Sequence, residues 1–169
     1  MNQFELKRIF IAALFDELSK ERINDLCLKL NVKNIARLDP HITIIPPFIV
    51  KDLKAIVEAL QKSIENFSFP LDVELGPAKS FATNSPVIYL KVGKADKLIE
   101  IDEVLREQFR DLVDDQKGFL AHVTLARIKN KVKKTNMIAS LEDTKMLAWV
   151  KSISILNYDR FADKWNVVK

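Results

Sequence analysis

The sequence predicts an α+β fold: bilobal, internally duplicated antiparallel sheets with helices outside and a central groove carrying two His-x-Thr motifs. Three observations predict it. Apolar residues switch back and forth between strand-like alternation and helix-like recurrence along the chain. The same order of elements runs through both halves. The only two histidines fall at matching places in those halves.

The elements follow in order. Residues 8–14 (RIFIAAL) read as a strand. Residues 17–30 read as a helix, because Ile23, Leu26, Cys27 and Leu30 share one face. Residues 41–45 read as a strand stopped by Pro46-Pro47, since proline cannot donate to a ladder. Residues 51–66 form an amphipathic helix with Leu53, Ile56, Val57, Leu60 and Ile64 in step, and Leu71, Val73 and Leu75 then alternate as a strand. The second half repeats this order. Residues 87–92 (VIYLKV) read as a strand, and residues 95–113 as a helix with Leu98, Ile101, Leu105, Phe109 and Leu112 on one stripe. Residues 121–128 are a strand, 135–141 a short helix, 150–158 a strand and 165–168 a last short strand.

Matching landmarks keep matching distances. Ile9 to His41 is 32 residues and Ile88 to His122 is 34. His41 to Leu71 is 30 and His122 to Val150 is 28. The chain therefore reads as one domain over 1–169, made of pseudo-repeat halves at about 1–85 and 86–169. Alternating elements are also compatible with a parallel sheet. The glycine-poor junctions and the repeated order favour antiparallel strands.

Composition narrows the chemistry. Apolar residues are 48% and charged residues 30%, the balance of a globular domain. Only three glycines occur, and neither GxGxxG nor GxxxxGK[ST] is present, which excludes phosphate loops of those types. Cys27 is the single cysteine, so no intrachain disulfide or thiolate cluster is available, and its apolar neighbours favour a buried structural thiol. The longest early apolar stretch, residues 9–15, is too short to span a bilayer, and no signal-peptide layout precedes it. A cytoplasmic protein without a membrane partner is expected. The net charge of +4 suits an anionic ligand.

The two histidines lie in His41-Ile42-Thr43-Ile44 and His122-Val123-Thr124-Leu125. With five threonines in 169 residues, both histidines gaining a threonine two places on has a chance of roughly one in a thousand. In a strand, residues i and i+2 project from one face. His41 with Thr43, and His122 with Thr124, should therefore face a common groove, while Ile42, Ile44, Val123 and Leu125 turn to the core. Two imidazoles and two hydroxyls suit phosphodiester chemistry. One imidazole starts neutral as base, the other charged as acid, and the hydroxyls donate to phosphate oxygens in the transition state. The bland reading of a single His-x-Thr is a polar residue at a sheet edge. Two histidines fall short of the three or four ligands of a tetrahedral metal site, so no metal and no cofactor is expected.

At these motifs the chain resembles the 2H phosphoesterase superfamily, including the 2′-5′ RNA ligase-like cyclic phosphodiesterases. The resemblance runs through RIFIAAL, PHITIIPPF around His41, VIYLKV and AHVTLARIK around His122. It implies a bilobal, duplicated α+β fold. It implies metal-independent hydrolysis of 2′,3′-cyclic phosphate termini of RNA or nucleotides to 2′-phosphates, together with reversible 2′-5′ RNA ligation. His41 and His122 match the catalytic histidines, His41 as acid and His122 as base. Thr43 and Thr124 match the phosphate-binding hydroxyls, and Arg127 an arginine closing the second motif. Strict alternation turns Arg127 away from His122, so a bend or strand end is needed there. Phe48 stands where a base-stacking aromatic would follow the first motif.

Weaker signals surround these. Lys129, Lys131, Lys133 and Lys134 read either as an electrostatic guide for RNA or as a solvated loop before a helix. Phe10, Phe81 and Tyr89 fall near the groove by pattern and could stack on a base or fill the core. Trp149 and Trp165 read as packing for the end of the second lobe. The expected partner is RNA or a nucleotide bearing a cyclic phosphate, met by a monomer. Two other functions fit the same residues: a nucleotide- or RNA-binding module without turnover, and a hydrolase of another small cyclic phosphodiester.

Overall fold

The computed structural model describes residues 6–29, 38–82, 84–113 and 118–168. Its elements are β1 (Lys7–Phe15), α1 (Glu17–Lys29), β2 (His41–Val50), α2 (Leu53–Ile64), β3 (Leu71–Lys79), β4 (Val87–Gly93), α3 (Asp96–Gln108), β5 (His122–Arg127), α4 (Lys131–Ser140), β6 (Met146–Asp159) and β7 (Lys164–Val167). This is a mixed fold with an antiparallel sheet and four helices among the described residues. The order strand-helix-strand-helix-strand occurs twice before β7. Leu30, expected on the face of α1, lies outside the described residues. Among the described residues no helix is long and apolar enough to cross a membrane.

The sheet runs β2-β1-β6-β3-β4-β5, and β7 pairs the C-terminal end of β6 beyond β3, on the side away from β1. Every pairing is antiparallel. Where the sequence predicts separate sheets in two lobes, the ladder is continuous, because β3 and β6 pair from Leu71–Val150 to Leu75–Met146. The third strand of each half has crossed over: β6 lies beside β1, and β3 beside β4. One face of the sheet, with Ile9, Ile11, Ile42, Leu90, Val123 and Ile155, joins the helices in the main core. The amphipathic face of α3, with Leu98, Ile101 and Leu105, lies in that core.

Helix ends follow their caps. Asp16 starts α1 by accepting the Ser19 N–H at 2.9 Å, and the Ser19 hydroxyl and N–H hold its carboxyl below the usual carboxylate range. The Ser19 hydroxyl accepts the Trp149 N–H at 2.9 Å, which seats α1 across β6. Asn130 caps α4 by accepting the Lys133 N–H, so this helix begins earlier than its apolar residues alone indicate. The register of β3 with β4 shifts between Leu75 and Ala78, and Gly76 within that shift has φ +117° and a backbone approach so close that a Cβ would meet the Thr144 carbonyl oxygen at 1.8 Å.

The strand β2 corrects the reading of Pro46-Pro47 as a stop. It continues to Val50. It is an edge strand, and its register with β1 shifts between the Ile11–Ile45 and Ile9–Phe48 pairs, so the prolines fall where the ladder is already irregular.

Candidate active site

The two His-x-Thr segments open β2 and β5, the edge strands at opposite ends of the ladder. His41, Thr43, His122, Thr124 and Arg127 nevertheless line one cavity of about 480 Å³. Its other walls include Phe10, Cys27, Asp39, Pro47 and Trp165. Within each segment the expected alternation holds: Ile42, Ile44, Val123 and Leu125 are buried at 1% exposure or less, while the histidines and threonines are half-buried.

Both segments then break alternation at the same place. Ala12 pairs with Thr43 and Ile11 with Ile45, which leaves Ile44 as the extra residue of β2. Tyr89 pairs with Thr124 and Ile88 with Ala126, which leaves Leu125 as the extra residue of β5. Each is a β-bulge, where two residues oppose one and the strand bends. Past the bulge Arg127 stands opposite Val87. Val87 and Tyr89 project from one face of β4, so Arg127 returns to the face of Thr124. This is the bend that strict alternation requires for Arg127 to reach the cavity.

Each imidazole makes the same local contact. His41 Nδ1 is 2.9 Å from the Asp39 carbonyl oxygen, and His122 Nδ1 is 2.7 Å from that of Leu120. A carbonyl oxygen only accepts, so Nδ1 carries the proton in each ring. Nε2 is then the working atom, a proton acceptor in the neutral ring and a donor in the charged one. Burial, reinforced by the neighbouring His122, pushes the His41 imidazole below its ordinary value, against the opposing pull of the Asp39 carbonyl.

Aromatic rings hold both histidines. Phe10 lies 5.4 Å from His41 between ring centroids. Phe81 and Tyr89 approach His122 edge-on at 5.0 and 5.3 Å, and stack on each other at 4.5 Å. Cys27 is half-buried on the cavity wall, its Sγ 3.9 Å from the Leu125 carbonyl oxygen, and burial pushes its thiol up. Among the described residues no group of three or more His, Cys, Asp or Glu side chains is placed to hold a metal ion.

Three readings from sequence need correction. Phe48 is not brought to the cavity. It pairs with Ile9 on the core side, is 7% exposed and packs 6.1 Å from Phe109. The second irregularity of β2 sets that orientation, so Phe48 is core and not a base-stacking residue. Trp165 does the opposite. Instead of packing the end of a lobe it lines the cavity from β7, edge-to-face with Phe10 at 4.7 Å. The β6–β7 hairpin brings Trp165 against the cluster of Phe10, Ala12, Leu14 and Leu156, a tertiary relation that no local pattern carries. Lys134 is buried at 6% exposure, and its ammonium donates to the Ser85 carbonyl at 2.8 Å. It is a structural tie to the loop bearing Phe81 and not a free guide for RNA. Lys129, Lys131 and Lys133 are exposed.

The chain is similar to known proteins over most of its length. A family model described as the 2′-5′ RNA ligase superfamily matches residues 14–161. A Staphylococcus haemolyticus protein named "Putative phosphoesterase SH1944" is 31% identical over 138 residues, covering 79% of this chain and 80% of that one. A crystal structure of a phosphoesterase superposes with a TM-score of 0.65 at 17% identity, covering 98% of this chain and 97% of the other. Escherichia coli LigT complexed with NADP+ gives 0.64, and complexed with 3′-AMP 0.63, each at 17% identity and covering 98% of this chain and 96% of the other. At such identities these structures show the fold alone.

Proposed function

The chain belongs to the 2′-5′ RNA ligase superfamily, and from that premise we propose that it hydrolyses 2′,3′-cyclic phosphates on RNA or nucleotides to 2′-phosphates. The single observation carrying this reading is the cavity that gathers both histidines, both threonines and Arg127 around one space. The nucleotide complexes of LigT support a nucleotide as ligand.

The step runs as follows. The Nε2 of neutral His122 takes a proton from water as the water oxygen attacks phosphorus. The bond from phosphorus to the ribose 3′ oxygen breaks, and Nε2 of protonated His41 supplies that oxygen's proton. Net, one proton passes from water to the leaving oxygen and the 2′ ester remains. Thr43 and Thr124 donate to the non-bridging oxygens, and Arg127 adds fixed positive charge where negative charge grows. With a 5′-hydroxyl in place of water, the same step forms a 2′-5′ phosphodiester, and running that step backwards, with the two rings exchanging tasks, re-forms the cyclic phosphate and frees the 5′-hydroxyl. For His41 to begin as the acid, the anionic substrate must restore the proton affinity that burial removes. The reading needs no metal, and it describes a monomeric cytoplasmic enzyme.

The test is hydrolysis of adenosine 2′,3′-cyclic phosphate, and of a short RNA ending in that group, in EDTA buffer. The His41→Ala/His122→Ala variant runs alongside. Formation of the 2′-phosphate by the wild type alone is expected. Loss of activity in EDTA with recovery on adding zinc would sink the metal-free mechanism. Tight nucleotide binding with no conversion would leave a binding module in its place.

A further inference from the structure

A second cavity lies beside the first on the same side of the sheet. Its volume is about 470 Å³, and it shares Leu38, Asp39 and Trp165 with the His41 cavity. Ser152 and Ser154 line it, their hydroxyl oxygens 3.2 Å apart. Register fixes where they sit. Leu14 pairs with His41 on one side and Ser152 on the other, and Ala12 pairs with Thr43 on one side and Ser154 on the other. The two serines thus repeat the His41–Thr43 row two strands away, roughly 10 Å at ordinary strand spacing.

We propose that this cavity is a second nucleoside subsite. This rests on the cyclic-phosphate reading of the first cavity. The terminal nucleotide occupies the His41 cavity, and the nucleoside preceding it in the strand enters the second, its base against Trp165. Its ribose and base-edge atoms meet Ser152, Ser154 and Lys151.

Three features argue for that occupant. Each cavity falls within the size that takes one small ligand, and two side by side suit two linked units. The lining is of mixed character. Leu14, Leu156 and Val167 supply apolar surface, while the serine hydroxyls both donate and accept. A flat heterocycle on a sugar matches such a surface. The charges are balanced already: Lys20 lies 3.0 Å from both Glu17 and Asp39, and Lys151 3.0 Å from Glu17. A terminal phosphate group would find no spare cation within this cavity, whereas a neutral nucleoside needs none. Trp165 is held by Phe10 and Tyr158, so the shared wall stands in place before a ligand arrives.

The experiment compares adenosine 2′-phosphate with the 2′-phosphorylated dinucleotide ApA by calorimetry. In parallel it compares turnover of the two corresponding 2′,3′-cyclic phosphates. The wild type should favour the dinucleotide about tenfold or more, the scale of one base stacked on an aromatic ring. In the Ser152→Ala/Ser154→Ala variant, and separately in Lys151→Met, that ratio should fall toward one. Equal binding of the two ligands by the wild type, or a ratio that survives both variants, overturns the subsite. Binding is read without turnover, so a dinucleotide preference with no hydrolysis overturns the reaction and upholds the subsite. Hydrolysis without preference does the reverse, and no binding of either ligand overturns both.

Discussion

Ile44 and Leu125 hold equivalent places: each is the extra residue of a bulge directly after a His-x-Thr segment, buried at 1% exposure or less. The bulge turns the next residues over, and the two strands use that turn differently. Five positions after His122 the chain has Arg127, a cation lining the cavity. Five positions after His41 it has Pro46, which brings no charge. A nearly symmetric pair of motifs thus gives a site with its guanidinium at one end only.

Arg127→Ala should lower kcat/KM roughly 10- to 100-fold, the range for losing a hydrogen bond to a charged group. Most of the loss should fall in KM if Arg127 binds the ground-state phosphate, and in kcat if it acts only on the transition state. Arg127→Lys should recover part of it, since an ammonium keeps the charge but not the two-pronged geometry. Steady-state kinetics on adenosine 2′,3′-cyclic phosphate decides. An unchanged kcat/KM in Arg127→Ala removes the residue from the site.

The threonines make a symmetric prediction. Thr43→Ala and Thr124→Ala should each cost about 10²-fold in kcat, the scale of one lost oxyanion donor. Thr43→Ser and Thr124→Ser should keep most of the rate, because the hydroxyl and not the methyl is the working group. Equal losses in the Ser and Ala variants would mean that packing is what matters. Single-turnover rates separate the outcomes.

Much of this architecture was legible because its signals are local. Strand alternation at residues 8–14 and 87–92, the stripe of α3 and the paired motifs all lie within a few residues of one another. Three kinds of feature were not legible. A bulge is a register event between strands, so Ile44-Ile45 and Leu125-Ala126 read only as apolar pairs, and Arg127 pointed the wrong way. An edge strand tolerates prolines that a central one would not, and nothing local marks β2 as an edge. Trp165 and Phe48 exchanged expected roles, because which face an aromatic meets depends on β7 pairing with the end of β6 and on the second irregularity of β2.

Lys134→Met should destabilise the protein by about 1–3 kcal/mol, the usual cost of leaving a buried polar group without its partner. The ammonium meets the Ser85 carbonyl at 2.8 Å from within a buried setting, and it joins α4 to the segment before β4. Phe81 lies in that segment against His122, so activity should fall along with the melting temperature. Thermal unfolding and turnover measured below the transition test both effects. A stable variant with normal turnover would show that the tie carries neither stability nor placement of Phe81.

The depressed His41 makes stability rise with pH and anion binding weaken with it. Burial is the leading cause, so the folded chain favours the neutral ring, while the unfolded chain takes a proton near the ordinary value of about 6.5. Between that value and the lower folded one, the unfolded state binds more protons, and stability rises with pH. The contribution is complete above about pH 6.5 and is lost as pH falls through the folded value. His41→Gln should flatten this limb of a urea-unfolding profile. A bound anion should reverse the depression by stabilising the charged ring. Sulfate, which does not titrate in this range, should therefore bind with net proton uptake near neutral pH. Calorimetry in two buffers of different ionisation heat measures that uptake, which should shrink in His41→Gln. Equal uptake in the two proteins would place the linked proton elsewhere, and His41 would then lack the means to begin the reaction as the acid.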